Sequence, residues 1–369
     1  MSVLAEQDRS LIASSVNKFV DANYPFETRD QRRSEGDRFG QQWSQFAELG
    51  WLMLPFGEAA GGMGGTLLDA QVLTRAFGRG LIDEPWLETI VAGKVLEHVA
   101  GHDVCESWLA ELMSGETIFL LAHGEHRADL DFTAVATTAV ASAEGFRLSG
   151  TKRMVWQAGA AQQYLVTALL DGQAAVFMVD RAIEGVSFRE YTTVDGRLAA
   201  DIDFQEVALP GSALICRGEV AQTCVKRALL FAFGALIAEA RGIAECMIQL
   251  TAEYLNTRKQ FGATISKFQS LQHMLADMVI AKEEIQSLEW MTAELDAEND
   301  LAELERATRT AKARAATAGR KLCELGVQLH GGVGLTDEYV ASHYLRRMLA
   351  IDGFYGDAQQ QLLWLAARY

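Results

Sequence analysis

The spacing of apolar positions changes twice along the chain and divides it into three parts. Up to about residue 110, apolar residues recur at intervals of three and four, which predicts helices interrupted by a glycine-rich loop at 57–65. Between residues 118 and 220 the pattern becomes short apolar runs separated by turn dipeptides such as Asp195-Gly196, which predicts strands. From residue 221 the helical interval returns.

The last part contains long amphipathic runs without a proline. Their spacing predicts helices over 225–260, 267–298 and 301–329, followed by a shorter helical pattern up to residue 369. Such helices bury their apolar faces only against one another, so we expect a helical bundle. The predicted fold is mostly α-helical with a central β domain. It has an N-terminal helical domain (1–115), a middle β domain (116–222) and a C-terminal bundle (223–369).

Composition narrows the classes of function. Of the 369 residues, 49% are hydrophobic, which is enough for a large core. The 33 basic and 49 acidic residues give a net charge of -16, which opposes binding to nucleic acid or to an anionic membrane. An anionic ligand would therefore need a local basic or helix-N-terminal pocket. The N-terminus lacks the order of a secretory signal, and we expect no membrane-spanning stretch and a cytoplasmic location.

The cysteines and histidines are too scattered for a disulfide framework or a metal site. The five cysteines include no Cys-x-x-Cys pair and are expected to be reduced and mostly buried. His98 and His102 are four residues apart, but Gly101 between them indicates a helix end, and His123 and His126, three apart, are the only other near neighbours among the histidines. Because metal sites need several convergent ligands, we expect no metal.

Two segments of the last part carry a family resemblance. The first reads Tyr-Leu-Asn-Thr-Arg-Lys-Gln-Phe-Gly over 254–262, with Phe-Gln at 268–269 and Gln-His at 272–273. The second reads Gln-Leu-His-Gly-Gly-Val-Gly-Leu-Thr over 328–336. In combination, and with the order of helical and β parts along nearly the whole chain, they resemble the acyl-CoA dehydrogenase family.

The resemblance implies a fold and a cofactor. The family fold has an N-terminal helical domain, a middle β-barrel-like domain and a C-terminal four-helix bundle, and it binds FAD. The two segments would hold the ADP half of an FAD whose flavin ring lies mainly on the neighbouring subunit. The residues implied in these contacts are Arg258, Gln260, Phe261, Gln269, Gln328, Gly331 and Gly332.

These residue types suit the implied contacts. Arg258 would pair with the pyrophosphate, because a planar guanidinium fork matches paired phosphate oxygens. Gly331 and Gly332 would let the backbone approach the nucleotide closely. The structural alternative is that the aromatic residues of the first segment are core packing and that the glycines of the second cap a helix.

The base that family catalysis needs is missing at its usual place. The resemblance implies a carboxylate that removes the α-proton of a thioester, in many members the Glu of a Tyr-Glu-Gly-Thr motif. Tyr355 stands at that position, and a tyrosine, with a reference pKa of about 10, is a poor replacement. The family's second location for the base falls near Ala232 and Phe233. The catalytic residue is therefore unknown. The nearby acids are Asp352, Asp357, Glu239 and Glu245.

The β domain departs from the family as well. The usual Thr-Glu-Pro-Gly-x-Gly-Ser-Asp stretch corresponds to Leu-Leu-Ala-His-Gly-Glu-His-Arg-Ala-Asp over 120–129, without proline or hydroxyl. The usual Trp-Ile-Thr-Asn-Gly corresponds to Met-Val-Trp-Gln-Ala over 154–158. There Met154 replaces an aromatic residue and Trp156 would fill the space of a threonine.

Loss of catalytic elements with retention of the ADP-half elements resembles the small, or β, subunits of heteromeric acyl-CoA dehydrogenases of the pimeloyl-CoA or steroid side-chain type. The resemblance implies an α2β2 assembly, FAD shared across a subunit interface, a paralogous subunit that supplies the base, an acyl-CoA substrate and an electron-transfer flavoprotein as acceptor. Two alternatives stay open: a homo-oligomer that uses an unconventional carboxylate, and a structural paralogue without flavin. The acyl chain and the identity of the partner subunit do not follow from the sequence.

Overall fold

The chain forms two compact units. The computed structural model describes residues 4–34, 39–99, 103–125, 135–297 and 300–368. The first unit takes its described residues from Met1–Arg38, Thr66–Ile82 and Phe233–Tyr369, and the second from Phe39–Gly65 and Asp83–Ala232. The fold is mostly helical with a central mixed sheet, which confirms the predicted fold class. The bounds of the three predicted domains stay a prediction.

The helices before the sheet are α1 (Glu6–Asn23), α2 (Arg29–Ser34), α3 (Gly40–Glu48), α4 (Leu67–Gly80), α5 (Trp86–His98) and α6 (Asp103–Ser114). Those after it are α7 (Glu219–Thr257), α8 (Gln269–Asp296), α9 (Leu301–His330), α10 (Val340–Gly353) and α11 (Ala358–Ala366). Helices α8 and α9 lie close to their predicted bounds. Helix α7 begins earlier than the predicted residue 225. It starts directly after Gly218, which has a φ of 66°.

Helix α9 is the centre of the helical packing in the first unit, because it contacts α8, α10 and α11. Its buried face is rich in alanine and glycine, so neighbouring helices approach closely. A Cβ at Gly319 would overlap the side chain of Met348 on α10. Helices α4 and α7 also lie close, since a Cβ at Gly242 would overlap the carbonyl oxygen of Arg75.

The second unit contains a sheet with strands in the order β6-β7-β3-β2-β4-β5-β8, and β1 pairs in parallel with β4. Their bounds are β1 Phe119–Ala122, β2 Thr138–Ser142, β3 Gly145–Trp156, β4 Gln163–Leu170, β5 Gln173–Asp180, β6 Val186–Thr192, β7 Leu198–Pro210 and β8 Leu214–Arg217. Strands β4 and β5 are buried along nearly their whole length, as expected for the inner strands of a sheet covered on both faces.

The expectation that no stretch is apolar enough to span a membrane is wrong as far as length and composition are concerned. Helix α7 is long and apolar enough to cross one. However, 72% of its apolar window is buried within the protein, which is the environment of a core helix.

Candidate functional site

The first family segment forms a tight hairpin after α7. Strands β9 (Lys259–Gln260) and β10 (Ala263–Thr264) pair antiparallel around a two-residue turn. Both turn residues have positive φ, 53° at Phe261 and 79° at Gly262. This conformation matches the type I′ turn that is favoured in two-residue hairpins. The hairpin therefore places Phe261 at its tip.

The turn holds the Phe261 ring in solvent. The residue is 91% exposed, and its ring lies edge to face with that of Phe268, with 6.1 Å between the ring centroids. A positive φ is unfavourable for a bulky residue. At Phe261 no burial of the side chain offsets this backbone strain. The interpretation of Phe261 as a core residue is therefore wrong.

Three polar members of the predicted site lie beside this hairpin and are exposed: Arg258, Gln260 and Gln269. Within the described part of the chain, the Arg258 guanidinium has no hydrogen-bond or ion-pair partner. Gln269 is the first residue of α8, and the preceding Phe268 offers no side-chain cap to this helix. The positive end of the α8 dipole therefore lies beside Gln269.

The second family segment forms the end of α9. Gly331 adopts a φ of 64° and its N–H donates to the carbonyl oxygen of Gln328, so it ends the helix as a glycine cap. Gln328, Gly331 and Gly332 are exposed. A Cβ at Gly331 or Gly332 would meet no atom of the described chain, so steric crowding within this chain explains neither glycine.

An aromatic stack brings the two segments together within the first unit. The ring of His330 lies 4.7 Å from that of Tyr254 and 5.1 Å from that of Tyr339. His330 Nδ1–H donates to the Gly326 carbonyl oxygen at 2.7 Å, and burial lowers the pKa of this histidine. The neutral imidazole is therefore a rigid spacer between the end of α9 and the last turns of α7. Sequence reasoning did not assign this role to His330 or Tyr339.

These elements form a surface that suits an anionic nucleotide. It offers a guanidinium without a partner in the described chain, an exposed aromatic ring, open glycine backbone and the N-terminus of α8. A phosphate group would bind the guanidinium and the N-terminus of α8. An adenine or ribose can contact the aromatic ring and the glycine backbone. Such a local arrangement is what a chain of net charge -16 needs to hold an anion.

The turn that carries Tyr355 is fixed by its backbone. Tyr355 has a φ of 48° and packs edge to face on Phe354, with 4.6 Å between ring centroids. The buried Lys312 donates to the carbonyl oxygens of Asp352 at 2.7 Å and Gly356 at 2.6 Å. Burial lowers the pKa of Lys312 to about 8. The turn thus presents a tyrosine and no carboxylate at this position.

The second location for the base is also apolar. Ala232 and Phe233 are fully buried on α7. The Phe233 ring lies 4.9 Å from Lys312 Nζ, so the first unit brings this position and the Tyr355 turn to the same lysine. Sequence reasoning placed both positions but could not show that they converge.

The two nearby aspartates serve the turn before α11. Asp352 Oδ1 accepts a hydrogen bond from the Ala358 N–H at 2.8 Å. Asp357 is the N-cap of α11, and its Oδ1 accepts from the Gln360 N–H at 2.8 Å. Both carboxylates therefore have structural partners.

The two nearby glutamates are ion-paired. Arg347 donates to both carboxylate oxygens of Glu239, at 2.6 and 2.9 Å, and the two residues are 4% and 5% exposed. Glu245 accepts from Arg75 Nε at 2.8 Å and from Arg241 Nε at 3.0 Å. Arginine side chains therefore hold both carboxylates in place.

The first departing stretch of the β domain is described only up to residue 125, and residues 126–129 lie outside the described residues. Its described part surrounds a buried lysine. Lys152 Nζ donates to Glu125 Oε1 at 2.8 Å, to Thr167 Oγ1 at 3.0 Å and to the His123 carbonyl oxygen at 3.3 Å. Burial lowers the pKa of Lys152 to about 8, against the opposing charge of Glu125. The polar groups of this cluster therefore form hydrogen bonds with one another.

The second departing stretch lies at the end of β3. Met154 is 49% exposed, whereas Trp156 is buried. Gln157 adopts a φ of 54° and its Nε2 donates to the Asp83 carbonyl oxygen at 2.7 Å. A buried indole at residue 156 offers no hydroxyl group to a ligand.

Among the described residues, no group of three or more histidine, cysteine, aspartate or glutamate side chains is arranged to hold a metal. His102 and His126 lie outside the described residues, so the two histidine pairs singled out from the sequence cannot be placed.

Comparison with known proteins adds the family context. The models for the N-terminal and C-terminal domains of acyl-CoA dehydrogenases match residues 6–116 and 223–369. The acyl-CoA dehydrogenase FadE27 of Mycobacterium tuberculosis is 27% identical over 355 residues, covering 94% of this chain and 93% of that protein. Solved relatives of the family contain FAD or FADH2.

Two solved structures are similar over nearly the whole chain. A variant of the Tcur3481-Tcur3483 steroid ACAD is 27% identical with a TM-score of 0.86, covering 98% of this chain and 97% of that one. The ChsE4-ChsE5 complex from Mycobacterium tuberculosis is 24% identical with a TM-score of 0.85, covering 100% of this chain and 98% of that one. At the latter identity the likeness shows the fold alone.

Proposed function

This chain belongs to the acyl-CoA dehydrogenase family, and we propose that it is a noncatalytic, FAD-binding subunit of a heteromeric acyl-CoA dehydrogenase. In this assembly the chain contributes contacts to the ADP half of FAD, and a paralogous subunit supplies the flavin-ring contacts and the catalytic base. The observation that carries the proposal is a contrast within the first unit. The hairpin at Phe261 is exposed and intact, whereas Tyr355 and Phe233, at the two locations for the base, offer no carboxylate.

The proposed site residues fit the ADP half of FAD. Arg258 would bind the pyrophosphate with its planar donor fork. Gln260, Phe261 and Gln269 would line the nucleotide. Gln328, Gly331 and Gly332 would contact it from the end of α9, where a close backbone approach meets no obstruction from this chain. The chain's own part in the reaction is therefore to bind and orient.

FAD, when bound, supplies hydride acceptance during α,β-dehydrogenation of an acyl-CoA thioester. Family members are oxidoreductases that act on CH–CH bonds. Removal of the α-proton needs a base, and Tyr355 and Phe233 provide none. The proton is therefore taken by the paralogous subunit in this proposal.

The proposed assembly is an α2β2 heterotetramer with FAD shared across the subunit interface, in keeping with the heteromeric ChsE4-ChsE5 complex of the same fold. An electron-transfer flavoprotein is the proposed electron acceptor, and a cytoplasmic location is proposed from the sequence. Each pair of subunits would hold one FAD site instead of two, which leaves room for a bulky acyl group such as a steroid side chain. The similar steroid ACAD supports this substrate class for the assembly.

The described contacts disfavour a homo-oligomer with an unconventional base. Asp352 and Asp357 hold the turn before α11, and Glu239 and Glu245 are bound to arginines. Any of the four would have to leave these partners before it could accept a substrate proton.

The proposal is tested by flavin absorbance and subunit stoichiometry of the chain alone and co-expressed with a paralogous acyl-CoA dehydrogenase. We expect a colourless chain alone and a yellow complex with one FAD for each pair of subunits. A yellow, active homo-oligomer would overturn the proposal.

A matched pair of variants tests the site. Arg258→Ala should weaken the affinity of the complex for FAD about tenfold or more, because a hydrogen-bonded charge pair contributes about 1.5–3 kcal/mol. Arg217→Ala removes an exposed arginine of the second unit and should leave the FAD content unchanged. A complex that keeps its FAD after Arg258→Ala would favour the structural paralogue without flavin contacts.

A further inference from the structure

Two buried cysteines lie side by side where the sheet of the second unit leads into α7. All five cysteines are free in the structure. Cys216 lies on β8 and Cys224 in the second turn of α7, and Gly218, with a φ of 66°, reverses the chain between them. Their Sγ atoms are 3.6 Å apart. The sequence, with seven residues between the two cysteines and no Cys-x-x-Cys pattern, did not predict this contact.

The hydrogen bond between the two thiols makes one of them more reactive. The hydrogen bond from the Cys216 thiol lowers the pKa of Cys224. The same hydrogen bond, together with burial, raises the pKa of Cys216. A thiol with a lowered pKa is the more easily oxidised partner, and a second thiol in contact with it is placed to resolve the oxidised sulfur.

The geometry points to a site of reversible oxidation: we propose that Cys216 and Cys224 form an intramolecular disulfide when hydrogen peroxide reaches the second unit. In the first step peroxide converts one thiol to a sulfenic acid and releases one water. In the second step the other thiol attacks that sulfur, the S–S bond forms and a second water leaves. Peroxide is thereby reduced by two electrons, and a dithiol reductant reverses the reaction.

The backbone permits both the approach of the sulfurs and the entry of the oxidant. A disulfide is about 2.05 Å long, so the sulfurs must close by roughly 1.5 Å, which side-chain rotation and a small strand shift supply. Strand β8 has four residues and ends the strand order, with β5 as its partner in the sheet. Short edge strands open more easily than inner strands, and Cys216 on this strand is the more exposed of the two thiols, at 8% against 1%.

The disulfide would close a covalent loop across the turn from β8 to α7. It would fix the start of α7 to the sheet of the second unit and restrict the unfolded chain, so the oxidised protein should be more stable than the reduced one. The reaction needs no flavin, so the proposal does not depend on the function proposed above.

The test is peptide mapping of the full chain after peroxide treatment and alkylation of the remaining thiols. Trypsin cleaves after Arg217 and Lys226, so the two cysteines fall in separate peptides, 198–217 and 218–226. We expect these peptides to be joined, with a mass two hydrogen atoms below their sum, and to separate after reduction with dithiothreitol. The wild-type melting temperature should rise on oxidation.

Variants and the opposite outcomes complete the test. Cys216→Ser and Cys224→Ser should each abolish the joined peptide and the rise in melting temperature, whereas Cys246→Ser should keep both. Oxidation of Cys246 without any joined peptide would overturn the proposal, as would a link from either cysteine to Cys105. Wild-type mapping decides the matter without variants if a serine variant does not fold.

Discussion

Lys312 Nζ lies 2.6 Å from the carbonyl oxygen of Gly356, although the lysine is only 2% exposed. It also donates to Asp352, so one buried amine holds both ends of the turn that carries Tyr355. Gln361 Nε2 supports the same turn through the carbonyl oxygens of Tyr355 and Gly356, both at 3.1 Å. Buried carbonyl groups need such donors, because an unsatisfied one costs free energy.

We predict that Lys312→Met loosens this turn. The Asp352 carbonyl oxygen loses its lysine donor, whereas Gly356 keeps Gln361. Loss of about 1.4 kcal/mol of local stability corresponds to about tenfold faster amide exchange. Hydrogen–deuterium exchange of a peptide covering residues 352–361 measures this change. The control Lys321→Met removes an exposed lysine of the same helix and should leave the exchange unaltered, and equal exchange in both variants would contradict the prediction.

A second prediction follows from the pKa of Lys312, which burial lowers to about 8. An unfolded lysine keeps its proton up to a pKa of about 10.4, so between these values the unfolded state binds more protons and rising pH favours the folded state. Below pH 8 both states are protonated and this contribution is constant. The stability of the wild type relative to Lys312→Met should therefore increase on the order of 1 kcal/mol per pH unit above pH 8.

Comparison of the two proteins by urea unfolding at several pH values between 7 and 10 measures this slope. The difference between them removes the contributions of other groups. These include the Cys216 thiol, whose pKa is raised by the hydrogen bond with Cys224 and by burial, and the Cys323 thiol, whose pKa is raised by burial. A flat difference across pH 8–10 would show that Lys312 keeps its proton in the folded chain.

The buried pair of Glu239 and Arg347 leads to a third prediction. Glu239→Gln leaves the Arg347 guanidinium buried beside an uncharged partner, which should lower the free energy of unfolding by about 3 kcal/mol. Glu324→Gln is the matched control, because Glu324 pairs with Arg320 on the surface and should contribute less than about 1 kcal/mol. Urea unfolding of both variants measures the contrast. A loss of activity without a loss of stability in Glu239→Gln would instead identify this glutamate as a catalytic group.

The sequence predicted what local signals determine. The amphipathic spacing predicts a helix from residue 301, and α9 begins at Leu301, where Asp300 Oδ1 accepts from the Ala302 N–H at 3.0 Å. The same spacing predicts the end of this helix near residue 329, and α9 ends at His330, before Gly331 with its φ of 64°. Burial of Lys312 was not predicted, because a lysine within an amphipathic helix is usually assigned to the solvent face.

The candidate site also has residues that local motifs identify and contacts that they do not. Family motifs identified Arg258 and Gly332, and their assignment to FAD stays a prediction. The stack of His330 between Tyr254 and Tyr339 could not be predicted, because it depends on how α9 lies against α7 in three dimensions. Motif spacing along the chain carries no information on that distance.

The fourth prediction compares the two glycines at the end of α9. Gly331 has a φ of 64°, so Gly331→Ala forces alanine into the left-handed region and should lower the stability of the chain alone by about 1 kcal/mol. At Gly332 no positive φ is found, and a Cβ there would meet no atom of the described chain. Gly332→Ala should therefore leave the stability of the chain alone within about 0.5 kcal/mol of the wild type.

In the heteromeric complex the order of effects should be different. If the ADP half of FAD lies against Gly332, a methyl group there displaces the nucleotide, and the FAD content should fall although the isolated chain is undamaged. Thermal unfolding of the chain alone and flavin absorbance of the complex measure the two properties separately. A Gly332→Ala complex with full FAD content would show that the nucleotide does not approach this backbone, and Arg258 and Phe261 would then have to hold it from the hairpin side.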